Sequence, residues 1–296
     1  MSARLFPHLA PLYAAWLPLT LLLFGCDTAY PQQAAEVRSG RPIPTAFFYG
    51  KPVPLQRLAG YERLVLEADN LPDAALTLPR LAAAGTTVFA YVSVGEAEGW
   101  RESTRRLGGE LFFGDNAAWQ SRVADLSQLA WRDFLINERM AGLWRQGYRA
   151  FFLDTLDSYE QYVHDPAQRK RQACALAAIV RAMHDRFPGV QLLLNRGFDA
   201  LPQIGSLASG LAAESLFRGW DQKRHVYVEV SEADRNWLLS QLESARIRYG
   251  LPITVIDYVD PDAAPLARRT LQQIEALGFS AWVATPALDS LPELAP

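Results

Sequence analysis

The sequence predicts an α/β protein, a single (β/α)8 barrel of the TIM type behind an N-terminal signal and tether. Three observations carry that prediction. Eight short apolar runs follow one another after residue 44, segments with helical spacing separate most of them, and acidic or amide residues stand at or just past the ends of the runs. A strand buried on both faces reads as a continuous apolar run, and its alternation with helices is the signature of a covered parallel sheet. A length of 296 residues suits one such barrel, and the half of them that are hydrophobic can fill its core. No glycine-rich phosphate fingerprint follows the first run, which argues against a doubly wound dinucleotide fold. A net charge of −3, with Lys and Arg scattered, leaves no footprint for nucleic acid.

Residues 1–25 read as a lipoprotein-type signal peptide: Arg4, then a mostly apolar stretch from Leu9 to Gly25. Leu23-Phe24-Gly25-Cys26 resembles the bacterial lipobox, in which the Cys is acylated and becomes the first mature residue. Phe24 is bulkier than the residue usual at its position. Cys26 is therefore the expected lipidation site, and an ordinary signal peptide or membrane anchor is the alternative. Residues 26–44 are polar and read as a flexible tether, so the folded domain is expected over 45–296.

The eight strand candidates are Ala46–Tyr49, Leu64–Leu66, Val88–Val94, Ala150–Leu153, Gln191–Leu194, Leu211–Ala213, Ile253–Ile256 and Ala281–Ala284. Helical spacing is clearest over Leu129–Trp144, Arg169–Phe187, Asp234–Tyr249 and Ala264–Leu277, with stops at Gly147, Pro188-Gly189, Gly250 and Gly278. Cys174, within the second of these helices, reads as a packing residue, and the two cysteines and four histidines show no ligand spacing. No metal and no cofactor is expected.

The ends of the runs carry the chemistry. The second gives Glu67 and Asp69, the third Glu96 and Glu98, the fourth Asp154 and Asp157, the fifth Asn195-Arg196, the sixth Glu214, and the seventh Asp257-Tyr258 and Asp260. Any one Asp after a strand is more often a helix cap or turn residue than a catalytic group, and Asp157 suits such a role. Their joint convergence on one mouth of a barrel is different, because like charges repel and are gathered mainly where function requires it. Two carboxylates across a pocket suit glycoside hydrolysis, one as acid and one as nucleophile or base. Tyr49, Tyr91, Tyr159, Phe198, Phe217, Trp220 and Tyr258 fall near strand ends, where flat rings stack on sugars, although most aromatics simply fill cores.

Ala90-Tyr91-Val92-Ser93-Val94-Gly95-Glu96-Ala97-Glu98 and Phe152-Leu153-Asp154-Thr155-Leu156-Asp157-Ser158-Tyr159 resemble the third- and fourth-strand motifs of the endo-α-1,4-polygalactosaminidase-like glycosidases. Leu194-Asn195-Arg196-Gly197-Phe198 and Ala213-Glu214-Ser215-Leu216-Phe217 resemble the fifth and sixth, and Tyr49-Gly50 fits after the first. The resemblance runs from about Thr45 onward and is strongest to members that process a biofilm exopolysaccharide. It implies a (β/α)8 barrel that cuts α-1,4-linked galactosamine or N-acetylgalactosamine polymers, endo-acting and retaining, with Asp154 as nucleophile and Glu214 as general acid/base. Tyr49, Glu67, Tyr91, Glu96, Asp157, Tyr159, Asn195, Arg196, Phe217, Asp257 and Tyr258 are the expected substrate-binding set.

Partly deacetylated galactosamine is cationic, so Glu67, Asp69, Glu96, Asp257 and Asp260 are expected to attract the polymer. The expected partners are that galactosaminoglycan, a bacterial membrane through the lipid anchor, and exopolysaccharide export machinery. The expected location is the periplasm or cell surface. Only Ala287 to Pro296 follow the last run, so no deacetylase region is expected behind it; either a partner removes acetyl groups or this protein only trims polymer. A non-catalytic polysaccharide-binding lipoprotein and an export-assembly lipoprotein are the competing readings.

Overall fold

The computed structural model describes residues 41–291; the signal segment, Cys26 and the tether through residue 40 lie outside the described residues. The barrel strands are β1 (Thr45–Phe48), β2 (Arg63–Leu66), β3 (Thr87–Ser93), β4 (Ala150–Asp154), β5 (Gln191–Asn195), β6 (Gly210–Glu214), β7 (Ile253–Tyr258) and β8 (Ser280–Ala284). Each runs parallel to the next in chain order. β8 comes back beside β1, where Tyr49 N–H donates to the Leu288 carbonyl at 2.6 Å. All eight predicted runs are therefore strands of a TIM-type barrel.

The strands are almost wholly buried because side chains alternate between the barrel interior and the helices outside. Register fixes which residues share the interior. Phe47 pairs with Val65 and Val65 with Phe89; Tyr91 pairs with Phe152 and Phe152 with Leu193. Phe47 and Tyr91 both meet the Phe152 ring, at 5.3 and 6.3 Å between centroids, and form an aromatic layer inside the barrel. One step further along, Asp154 pairs with Ser93 at the carboxyl-terminal mouth.

Long helices cover the outside. Pro166–Arg186 starts on Asp165, whose carboxylate accepts from Gln168 N–H at 2.8 Å, and Pro166 supplies the first-turn proline. It buries Leu176, Ala177, Val180 and Met183 against the strands and holds Cys174 half-buried. Glu232–Tyr249 is capped by Ser231 and ends on Gly250, whose φ of 64° is the left-handed stop that glycine adopts without a Cβ clash. Leu129–Asp133 and Ala141–Arg145 are joined by a π turn, Phe134–Met140. That turn buries Phe134, Leu135, Ile136 and Met140 while sending Arg139 to within 3.6 Å of Glu67.

The runs do not foretell two excursions over the mouth. Between β3 and β4 the chain forms a three-stranded antiparallel sheet of Glu96–Glu98, Phe112–Asn116 and Ser121–Ala124, with the last in the middle. After β6 it forms a hairpin, Arg218–Asp221 with Val226–Glu229. A helix, Ala74–Ala83, also joins β2 to β3.

Candidate active site

Three consecutive strands end in the same way. Asp154, Asn195 and Glu214 close β4, β5 and β6, and the next residues, Thr155, Arg196 and Ser215, have φ of 60°, 56° and 62°. Left-handed backbone is uncommon outside glycine, and it clusters where surrounding structure forces it. Here each forced residue hydrogen-bonds into a neighbouring strand or loop. Arg196 N–H donates to Ala212 O at 2.9 Å, Ser215 N–H donates to Ile256 O at 2.8 Å, and the Thr155 hydroxyl accepts from Gly95 N–H at 2.9 Å. A Cβ at Gly95 would lie 1.9 Å from Thr155 O, so the glycine is required by close approach. The chain thus bends sharply after each functional residue and leaves its side chain on the inner face.

Asn195 joins the two carboxylates. Its Nδ2 donates to Asp154 Oδ1 at 2.7 Å and to Glu214 Oε1 at 2.8 Å. Two acceptors on one nitrogen cannot be farther apart than those distances laid end to end, so the facing oxygens of the pair stand closer than the roughly 6.5–9.5 Å that separates the carboxyl groups of inverting glycosidases. The remaining donors are neutral. Tyr258 OH donates to Glu214 Oε2 at 2.6 Å, and Tyr91 hydrogen-bonds Asp154. Burial, and then the charge of Glu214, push the Asp154 carboxyl up to about 7, so near neutral pH the pair tends to hold one proton between its two carboxyls. Burial foremost holds the phenols of Tyr49, Tyr91 and Tyr258 well above their usual range; the Asp154 charge adds to the rise in all three, and the Glu214 charge in Tyr49 and Tyr258.

These groups line a pocket of about 670 Å³, inside the ~300–1,000 Å³ range of ligand sites. Seven carboxylates face it: Glu67, Asp69, Glu96, Glu98, Asp154, Asp157 and Glu214. Three are tied down. Arg101, its side chain 5% exposed, bonds Glu67, Glu98 and Asp69, and Arg139 adds a contact to Glu67. Burial pulls Arg101 down, but its hydrogen bonds to Glu67 and Glu98 outweigh that and hold it firmly protonated. Glu96 is buried and enters no ion pair among the described residues: Asn116 Nδ2 donates to it at 3.1 Å and the Ser121 hydroxyl bonds its other oxygen. Asp157 is raised chiefly by burial, with the Arg196 charge opposing and Glu214 and Glu96 adding to the rise. Among the described residues no group of three His, Cys, Asp or Glu is arranged to hold a metal ion.

Of the expected site residues, Tyr49, Glu67, Tyr91, Glu96, Asp154, Asp157, Asn195, Arg196, Glu214 and Tyr258 all meet in this pocket. Four of the expected residues lie outside it. Asp257 is fully buried on the outward face of β7, where its oxygens accept from the N–H groups of Leu216, Phe217 and Arg218 at 2.7–2.8 Å. It ties down the loop after β6 and does not line the pocket. Tyr159 points into the core beneath the loop after β4, and Phe217 packs partly buried with the Arg235 guanidinium over its ring. Neither lines the pocket, nor does the exposed Asp260. Trp100, Trp119, Asn116 and Ser121 line it from the inserted sheet, which no apolar run marks in the sequence.

A TIM-type barrel with a paired-carboxylate pocket at its carboxyl-terminal mouth is the site of a glycoside hydrolase. The chain belongs to glycoside-hydrolase family GH114, whose model matches residues 60–295. The glycoside hydrolase domain of PelA from Pseudomonas aeruginosa is 38% identical, covers 84% of this chain and 97% of its own, and superposes with a TM-score of 0.77. Ega3 from Aspergillus fumigatus, solved in complex with galactosamine, shares the fold at 17% identity and a TM-score of 0.58, over 86% of this chain and 94% of its own. An uncharacterized protein of Thermotoga maritima is 26% identical over 195 residues, which is 60% of this chain and only 57% of that relative's length.

Proposed function

We propose that the protein is an endo-acting, retaining hydrolase of α-1,4-linked galactosamine and N-acetylgalactosamine exopolysaccharide. The observation that carries the chemistry is the single Asn195 nitrogen holding the facing oxygens of Asp154 and Glu214 closer than the carboxyl groups of an inverting pair. The resemblance of the strand motifs gives the roles. Glu214 protonates the glycosidic oxygen as the Asp154 carboxylate attacks the anomeric carbon; the C–O bond breaks and a glycosyl ester forms. Water then attacks the ester, Glu214 takes its proton, and Asp154 leaves as the carboxylate. Asn195 Oδ1 is buried with no hydrogen-bond partner among the described residues and offers an acceptor to a donor on the bound sugar.

The charge of the pocket supports a cationic polymer. Arg101 and Arg139 engage Glu67, Asp69 and Glu98, and Glu96 and Asp157 are the pocket carboxylates outside both that cluster and the Asp154–Glu214 pair, placed to meet a substrate ammonium. The proposal includes lipid anchoring at Cys26, a place in the periplasm or at the cell surface, and work beside exopolysaccharide export machinery. Radiolabelled palmitate incorporated by the parent and lost in Cys26→Ser tests the anchor.

Product analysis after incubation with α-1,4-galactosaminoglycan tests the activity. Oligosaccharides from the parent and none from Glu214→Gln support it. No products from either, on acetylated and deacetylated polymer alike, overturn it in favour of a binding or assembly role.

A further inference from the structure

We infer that Trp100 and Trp119 are stacking platforms for sugar units of the polymer beyond the one being cleaved. The inference rests on the reading of the pocket as a polysaccharide-cleaving site. Both indoles line that pocket, yet they are 55% and 57% exposed, among the most exposed large apolar side chains described. Two exposed indoles lining one cleft form apolar surface of the kind that marks a ligand-binding groove.

Neither sits on a slack loop. Trp100 follows the first strand of the inserted sheet, and the Arg101 guanidinium lies 3.9 Å from its ring, itself clamped by Glu67 and Glu98. One face of the indole is thereby backed by a fixed cation. Trp119 lies in the turn between the other two strands. Its N–H donates to Asn116 O at 3.1 Å, the preceding Ala118 carbonyl accepts from Gln222 Nε2 at 3.0 Å, and the following Gln120 is held at φ 51°.

The anchors lie on different sides. Trp100 is tied through Arg101 to Glu67 at the end of β2, and Trp119 through Ala118 to the hairpin after β6. The inserted sheet therefore carries a rigid aromatic surface toward each flank of the mouth, with Asp154 and Glu214 in the same pocket. The occupant that fits is a run of galacto-configured sugars. Their apolar ring face stacks on an indole, and a free 2-ammonium gains a cation–π attraction there. Polymer length would then be read by the insertion, and bond cleavage by the barrel.

The test uses the purified full chain and its Trp100→Ala, Trp119→Ala and Trp119→Phe variants, with matching thermal melts as a fold control. Two substrates are compared, long α-1,4-galactosamine polymer and a monomeric aryl α-galactosaminide. Each alanine variant is expected to lower the polymer-to-monomer ratio of kcat/KM about tenfold, mainly through a higher KM, with Trp119→Phe restoring most of it. In parallel, galactosamine oligosaccharides titrated into Glu214→Gln are expected to quench indole fluorescence, and less so once Trp100 or Trp119 is removed. Unchanged ratios and unchanged quenching in both alanine variants overturn the inference. Absence of cleavage by the parent would instead sink the proposed activity, and the titration would still decide whether the indoles bind the polymer.

Discussion

On the β2–β3 side of the pocket, Glu67, Asp69 and Glu98 surround one guanidinium; on the β4–β6 side, Asp154 and Glu214 share one amide nitrogen. The residue types are the same and the consequences differ. In the first group Arg101 is held charged by its carboxylates, and the cluster fixes the base of the inserted sheet. In the second, every side-chain donor on the pair is neutral, neither carboxylate enters an ion pair among the described residues, and Asp154 rises to about 7. A carboxylate near a cation is stabilised in one protonation state, whereas two carboxylates facing neutral donors are poised to exchange a proton.

The sharpest way to break this contrast is to neutralise the pair. Glu214→Gln and Asp154→Asn should each cut kcat on polymer by about 10³-fold or more while the protein still folds, as read by product release and circular dichroism. Loss of folding with residual activity would mean that the pair is structural. On the opposite wall the pattern reverses. Arg101→Met removes the guanidinium that three carboxylates share, two of them largely buried and only Glu67 keeping a second cation in Arg139, and should cost about 3–5 kcal/mol of stability in denaturant melts. Stability close to that of the parent would remove the distinction between the walls.

Asp257 sharpens the comparison from outside the pocket. Asp257→Ala leaves the N–H groups of Leu216, Phe217 and Arg218 without their acceptor and should cost about 1–3 kcal/mol. A melting curve checks that, and kcat/KM of the folded variant should stay near the parent value. A selective loss on deacetylated polymer would return Asp257 to the binding set.

The smallest effects are those of pH. A carboxyl raised to about 7 in the folded state, and ordinary when unfolded, keeps its proton on folding; the unfolded chain binds fewer protons between about pH 4 and 7. Stability contributed by Asp154 therefore falls as pH rises through that window, and Asp257, raised to about 6 chiefly by burial, acts in the same direction up to pH 6. Asp154→Asn should raise the melting temperature at pH 8 by a few degrees, at about 2–4 °C per kcal/mol, and flatten its fall between pH 4 and 7. In the parent, kcat/KM should decline above about pH 7 as the pair loses its remaining proton. A pH-independent rate up to pH 9 would show that the pair is not poised in this way.

Much of this was legible in the sequence because parallel strands buried on both faces leave uninterrupted apolar runs, and all eight were strands. Phe152 to Asp154, Leu193 to Asn195 and Ala212 to Glu214 also show the step of two that keeps a side chain on the inner face. The same alternation explains the miss at β7. Asp257 and Tyr258 are adjacent on one strand and cannot face the same side; Tyr258 went to Glu214 and Asp257 turned outward. The inserted sheet left no such trace. Its strands are three to five residues long, several of those residues are polar, and they are held by Glu96 with Ser121 and Asn116, partners 20 to 25 residues away.

The sequence by itself determined the barrel, its order of strands, and the carboxylates Glu67, Glu96, Asp154 and Glu214 at its mouth, since burial and periodicity are local properties of the chain. Only the tertiary structure decided which of those carboxylates meet a cation, which share a proton, and where Trp100 and Trp119 are presented. Those outcomes depend on distances between strand ends and excursions far apart in the chain, and electrostatic and hydrogen-bond energies are set by such distances and by burial.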